Sequence, residues 1–176
     1  MNIIRCNKQN KCLILIASAF GLGLSPIAPG TCGALLGVIA HILIWTFTAE
    51  SVRFNMLLLL FLIICVLHYF LTPWAVNYWR NKDPKNFVLD EIAGYLLVPI
   101  LFHHGQLWQV ACWGFLWFRL FDIIKLPVAK QIDEKMHGAL GILLDDLVSA
   151  CYAVGMLYIL KFLGSQFGLE QYLISE

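Results

Sequence analysis

Residues 55–79 contain no Asp, Glu, Lys or Arg, and residues 139–163 contain only Asp145, Asp146 and Lys161 as charged groups. A helix needs about 20 apolar residues to cross a bilayer. Helices are also the economical way to satisfy such a backbone in lipid. Further apolar stretches occupy 12–24, 33–49, and the short pair 92–102 and 107–118. Composition agrees. Only 13% of the residues are charged, against roughly a quarter in soluble domains, and mean hydropathy is +0.77. A net charge of +1 offers no footprint for nucleic acid. The chain therefore reads as all-α, a polytopic helical membrane protein with about five spans plus a short N-terminal re-entrant or interfacial helix. No internal repeat is evident. We expect one domain over 1–176, with a helical body at 12–163 and tails at 1–11 and 164–176.

The N-terminus holds Arg5, Lys8 and Lys11 before the apolar stretch at 12–24, which resembles a signal peptide. It runs on through Pro26, Pro29, Gly30 and Gly33 into further apolar segments, so a retained segment is expected. Its length is short for a span. The cysteines, Cys6, Cys12, Cys32, Cys65, Cys112 and Cys151, show no CxxC spacing and mostly lie in or beside apolar runs. They fit small apolar packing residues better than a disulfide framework or a zinc site.

Charge placement suggests an orientation. If 12–24 dips in and returns, Arg5, Lys8, Lys11, Arg80, Lys82, Lys85, Arg119, Lys125, Lys130 and Lys135 share one side, leaving Arg53 and Lys161 for the other. The positive-inside rule makes the richer side cytoplasmic. The expected spans are 33–49, 55–79, 88–103, 105–118 and 139–163, with the N-terminus inside and the C-terminus outside. Trp45, Trp74, Trp79, Trp108 and Trp117 would lie near span ends as interfacial anchors. Eight of the eleven acids, Asp83, Asp90, Glu91, Asp122, Asp133, Glu134, Asp145 and Asp146, fall on or just within the same face.

Those acids are the unusual feature. A carboxylate inside a spanning helix costs about 2.5–3.5 kcal/mol on insertion scales. Either the helix carrying Asp145-Asp146 starts at Leu143 or Leu144, leaving both near its positive end, or the pair is kept in the span for a function. Arg119, Asp122 and Lys125 follow at i+3 steps, as an ion-pair ladder or as a binding face. Asp90 and Glu91 open a span, where acids also complement a helix N-terminus. The turn Ala28-Pro-Gly-Thr-Cys-Gly33 is either a plain helix break or a cradle aiming N–H groups at an anion. His137 is a proton donor or a surface residue. His103 and His104 are expected at the interface, and His41 and His68 as packed or interfacial residues. Taken together, a phosphate-compatible turn, several acids and two cations on one membrane face suit Mg²⁺ and phosphoryl chemistry.

Four blocks carry a family resemblance: Gly23-Leu-Ser-Pro-Ile-Ala-Pro-Gly-Thr-Cys-Gly33, Asp83-Pro through Val88-Leu-Asp-Glu-Ile-Ala-Gly94, Phe118-Arg-Leu-Phe-Asp-Ile-Ile-Lys125, and His137-Gly-Ala-Leu-Gly-Ile-Leu-Leu-Asp-Asp146. In order and spacing they resemble the bacterial membrane-bound phosphatidylglycerophosphatase A family, over about residues 12–160. Two details differ. The family usually has Pro-x-Pro after its lysine, where this chain has Leu126-Pro127-Val128, and commonly Ala-Gly after the aspartate pair, where this chain has Ser149-Ala150.

The resemblance implies Mg²⁺-dependent removal of the terminal phosphate from phosphatidylglycerophosphate, at the cytoplasmic face of the bacterial inner membrane. Asp90, Asp145 and Asp146 are then the expected metal ligands, with Glu91 and Asp122 as ligands or general bases. Arg119 and Lys125 would hold the phosphate, cradled by Gly30, Thr31 and Gly33. Attack by water and a phosphoaspartate intermediate use the same residue types. Three other readings are a transporter or channel with intramembrane acids, a purely structural membrane subunit, and a phosphatase for a different phosphomonoester.

Overall fold

The computed structural model describes residues 8–136 and 138–175, and His137 and the first seven residues lie outside the described part. Among the described residues seven α-helices follow one another: α1 (Lys8–Ala17), α2 (Pro29–Phe47), α3 (Glu50–Trp79), α4 (Leu89–Leu101), α5 (Leu107–Ile124), α6 (Pro127–Lys135) and α7 (Ala139–Phe167). No strand occurs among the described residues. Four of these helices, α2, α3, α5 and α7, are long and apolar enough to cross a membrane. The fold is that of a polytopic helical membrane protein.

The remaining expected span differs from the rest. Helix α4 has 13 residues, about 20 Å at 1.5 Å per residue, against a hydrocarbon core of about 30 Å. Ten of its residues are buried, and it packs against α2, α3, α5 and α7. It is the centre of the bundle, ringed by the longer helices. Three glycines of α2 make this possible. Added Cβ atoms at Gly33 and Gly37 would lie 2.7 Å from Val88 Cβ and 3.0 Å from the Tyr95 ring, and one at Gly30 would collide with Glu91. Small residues let membrane helices approach closely, where dispersion and polar contacts replace the hydrophobic drive. Farther along the same pair, Tyr95 Oη and His41 Nδ1 are 3.0 Å apart in the buried interior.

The segment 12–24 does not cross the bundle. Helix α1 stops at Ala17, whose carbonyl accepts from Val88 N–H at 3.2 Å. A turn and a short 3₁₀ segment, Leu22–Leu24, follow. Asn10, near its other end, shares a cavity with Trp74 and Arg80 at the end of α3. Both ends of this helix therefore sit at the end of the bundle where α4 begins, as a re-entrant or interfacial helix would.

Three details correct the sequence reading. Helix α5 runs to Ile124, so Trp117 lies inside the helix rather than at its end. Helix α6 is a short additional helix, started by Pro127 at its first turn. The residues read as a C-terminal tail are partly helix, since α7 continues to Phe167. Beyond it, Ile174 is fully buried, and the Gln109 side chain donates to the Glu170 carbonyl at 2.7 Å. Among the described residues, Cys12, Cys32, Cys65, Cys112 and Cys151 are all free.

Candidate active site

At one end of the bundle the chain leaves a recess, because α4 starts two turns deeper than α7. Helix α7 starts at Ala139, so Asp145 and Asp146 are about 10 Å along it at 1.5 Å per residue. A start at Leu143 or Leu144 is thereby excluded, and neither aspartate caps the helix. Gly138, at φ 81, precedes the helix. The His68 ring on α3 ties its first residue down, with Nε2 3.0 Å from the Ala139 carbonyl. Asp90 and Glu91 occupy the first turn of α4 and meet Asp146 in the recess. One carboxylate oxygen from each of the three lies within 4.8 Å of the others.

This recess is a cavity of about 530 Å³ lined by Gly30, Thr31, Asp83, Lys85, Asp90, Glu91, Arg119, Asp122, Lys125, Asp145 and Asp146, among others. Among the described residues, six carboxylates face three cations there. Asp90 and Asp146 are 5% and 4% exposed, yet Asp90 Oδ1, Glu91 Oε2 and Asp146 Oδ2 have no hydrogen-bond partner. Buried carboxylate oxygens without donors are costly unless a cation joins them. An oxygen-only donor set of this kind suits Mg²⁺. The three residues fit that ion on donor chemistry, spacing and orphaned oxygens.

The other two acids expected as ligands are each paired with a cation, and Asp122 also adjoins Asp146. Asp122 Oδ2 lies 2.6 Å from Arg119 Nη1, one helical step of three away. Asp145 Oδ2 lies 2.7 Å from Lys125 Nζ. Lys125 is not the third rung of a helical ladder. It caps α5 with φ 50, and its ammonium also reaches Asp133 on α6 at 3.0 Å. Partial burial works against the Lys125 charge, but Asp145 and Asp133 outweigh it and hold the group protonated above its ordinary range.

Of the three residues expected to cradle a phosphate, two reach the recess. Gly30 and Thr31 open α2 and line the recess. Ala28, in the left-handed region, precedes Pro29 with no side-chain cap, so the first N–H groups of the helix have no capping side chain. Gly33 does not line the recess. It faces Val88, and its smallness serves packing between α2 and α4.

Two recess features were not singled out from the sequence. Asp133 orients Lys125 from α6, a long-range pairing that the short helix creates. Lys85 lines the cavity from the loop between α3 and α4.

Comparison with known proteins places the chain. The profile of the family described as phosphatidylglycerophosphatase A matches residues 15–161. A Haemophilus influenzae protein named phosphatidylglycerophosphatase A is 31% identical over 148 residues, covering 84% of this chain and 88% of the relative. An Escherichia coli protein of the same name is 33% identical over 144 residues, 82% of this chain and 80% of its own. A Bacteroides thetaiotaomicron protein with the provisional name phosphatidylinositol-3-phosphatase is 35% identical over 146 residues, 80% of this chain and 87% of its own. No solved structure gives a significant match. With the matched profile covering the helical body and every recess carboxylate and cation, the chain belongs to the phosphatidylglycerophosphatase A family and is a phosphatase.

Proposed function

We propose that the protein is a Mg²⁺-dependent phosphatase that releases the terminal phosphate of phosphatidylglycerophosphate, giving phosphatidylglycerol and inorganic phosphate. We place it in a bacterial inner membrane with its recess toward the cytoplasm. One observation carries the reading: six carboxylates and three cations share one cavity in a chain of this family. Without a bound cation that cavity repels a phosphate dianion. Asp90, Glu91 and Asp146 would hold Mg²⁺, which when bound offsets charge on the transferring phosphoryl group.

The chain's own groups do the rest. Arg119 and Lys125 bind the non-bridging phosphate oxygens, and the N–H groups of Gly30 and Thr31 add donors at the positive end of α2. Water bonds to phosphorus as the bond from phosphorus to the glycerol oxygen breaks. Asp122, oriented by Arg119, is the carboxylate outside the metal triad that can carry the proton from water to the departing oxygen. The names of the three relatives share a chemistry, a phosphomonoester on a lipid headgroup, and a recess opening among membrane helices suits it.

The transporter alternative requires acids along a path. Among the described residues the buried charged side chains are Asp90, Asp145 and Asp146, all in the one recess. Purified protein in detergent should release phosphate from phosphatidylglycerophosphate with Mg²⁺ and not in excess chelator. Equal turnover in chelator would remove the metal from the reading. Absence of turnover with every divalent ion would favour transport.

A further inference from the structure

We infer that Lys85 selects a lipid bearing a second phosphate, by pairing with the phosphodiester while the terminal phosphate lies at Arg119 and Lys125. The inference rests on the proposed substrate, whose headgroup carries a phosphomonoester and a phosphodiester joined by one glycerol. Both are anionic. A cavity of about 530 Å³ falls within the usual range of roughly 300–1,000 Å³ for small-molecule sites, so it has room beyond the reacting phosphate.

Of the three cations that line it, two are engaged. Arg119 pairs with Asp122, and Lys125 with Asp133 and Asp145. Lys85 makes no salt bridge among the described residues, and its neighbour Asp83 acts on it only at longer range. The other basic residues of this loop, Arg80 and Lys82, line different cavities. Lys85 is therefore the uncommitted cation of the recess.

Its backbone is fixed, although its side chain is exposed. Phe87 N–H donates to the Pro84 carbonyl at 2.8 Å, closing a turn with Lys85 at its tip. Pro84 and Phe87 are both buried, and Asn86 Nδ2 donates to the Gly23 carbonyl at 2.9 Å. The turn thus presents Lys85 from an anchored frame at the exposed wall of the recess, while Asp90 and Asp146 lie buried at its floor. Substrate reaching the floor with its terminal phosphate leaves its second phosphate nearer the exposed wall.

The test compares phosphatidylglycerophosphate with phosphatidate, a lipid whose only phosphate is a monoester, in the same mixed micelles with Mg²⁺. Loss of a charge-assisted contact at an exposed position should raise KM about five- to tenfold. For Lys85→Gln we expect that rise with phosphatidylglycerophosphate, with kcat changed less than about twofold and KM for phosphatidate nearly unchanged. Lys85→Arg should restore the parent KM. An equal shift for both lipids, or no shift, overturns the inference while leaving the phosphatase reading intact. A parent enzyme that hydrolyses neither lipid overturns the reading of the site, and the role of Lys85 with it.

Discussion

Lys125 Nζ lies 2.7 Å from Asp145 Oδ2, joining the end of α5 to the second turn of α7. The next residue, Asp146, projects about 100° farther round the helix and faces Asp90 and Glu91 instead. Two neighbouring aspartates of one motif therefore stand in opposite electrostatic settings. Asp145 is neutralised by a fixed cation, whereas Asp146 lies buried in a group of like charges. The sequence treats them as an equivalent pair of ligands, and the geometry gives them different surroundings.

Their substitutions should part in sign. In chelator, Asp145→Asn leaves Lys125 with only the half-exposed Asp133 and should cost about 1 kcal/mol after discounting for partial hydration. Asp146→Asn removes a buried charge from a repelling cluster, and should melt no earlier than the parent. Thermal unfolding in detergent with chelator present measures both. Identical melting of the two variants would show that the pair acts as one structural unit.

The membrane architecture was legible because lipid burial leaves few alternatives for long uncharged runs such as 55–79. The acids and cations of the recess were legible too, as residue types on one face. What escaped was set by contacts between distant segments. The sequence left α7 starting either at Ala139, as the expected span 139–163 had it, or at Leu143 or Leu144, and the contact that goes with the first, His68 on the Ala139 carbonyl, comes from 71 residues away. Helix α5 ends at Lys125, a left-handed cap, and Pro127 holds the next residue, Leu126, extended. There Lys125 meets Asp133 on α6, a helix the sequence reading did not foresee, whose charges it placed only on the shared face. Gly33 looked like part of an anion cradle, but α4 packs directly against it.

That packing gives a second expectation. A Cβ at Gly33 would lie 2.7 Å from Val88 Cβ and 3.0 Å from the Val88 carbonyl oxygen. Gly33→Ala should therefore destabilise by about 1–3 kcal/mol through overpacking. Gly155, also helical, has nothing within 4 Å of an added Cβ, so Gly155→Ala should be neutral or stabilising. Parallel melting curves decide it, and a Gly33→Ala protein as stable as the parent would mean that α2 and α4 can separate freely.

Orientation is a third expectation. The recess end carries Arg80, Lys82, Lys85, Arg119 and Lys125, while Arg53, over the Trp45 ring at 4.7 Å, and Lys161 belong to the opposite end. A reporter inserted beside Lys82 should be active only in the cytoplasm, and one fused after Lys161 only outside it. The reverse pattern at either point would place the recess on the outer face.

Asp90, Glu91 and Asp146 are proposed to form one metal site, while Asp145 serves Lys125. Binding of Mn²⁺, as a spectroscopic substitute for Mg²⁺, to the detergent-purified protein tests it without reference to turnover. Saturable binding is expected for the parent and for Asp145→Asn, with affinity reduced by at least about tenfold in Asp90→Asn and in Asp146→Asn. Unchanged binding in those two variants, or loss of binding in Asp145→Asn alone, would contradict it.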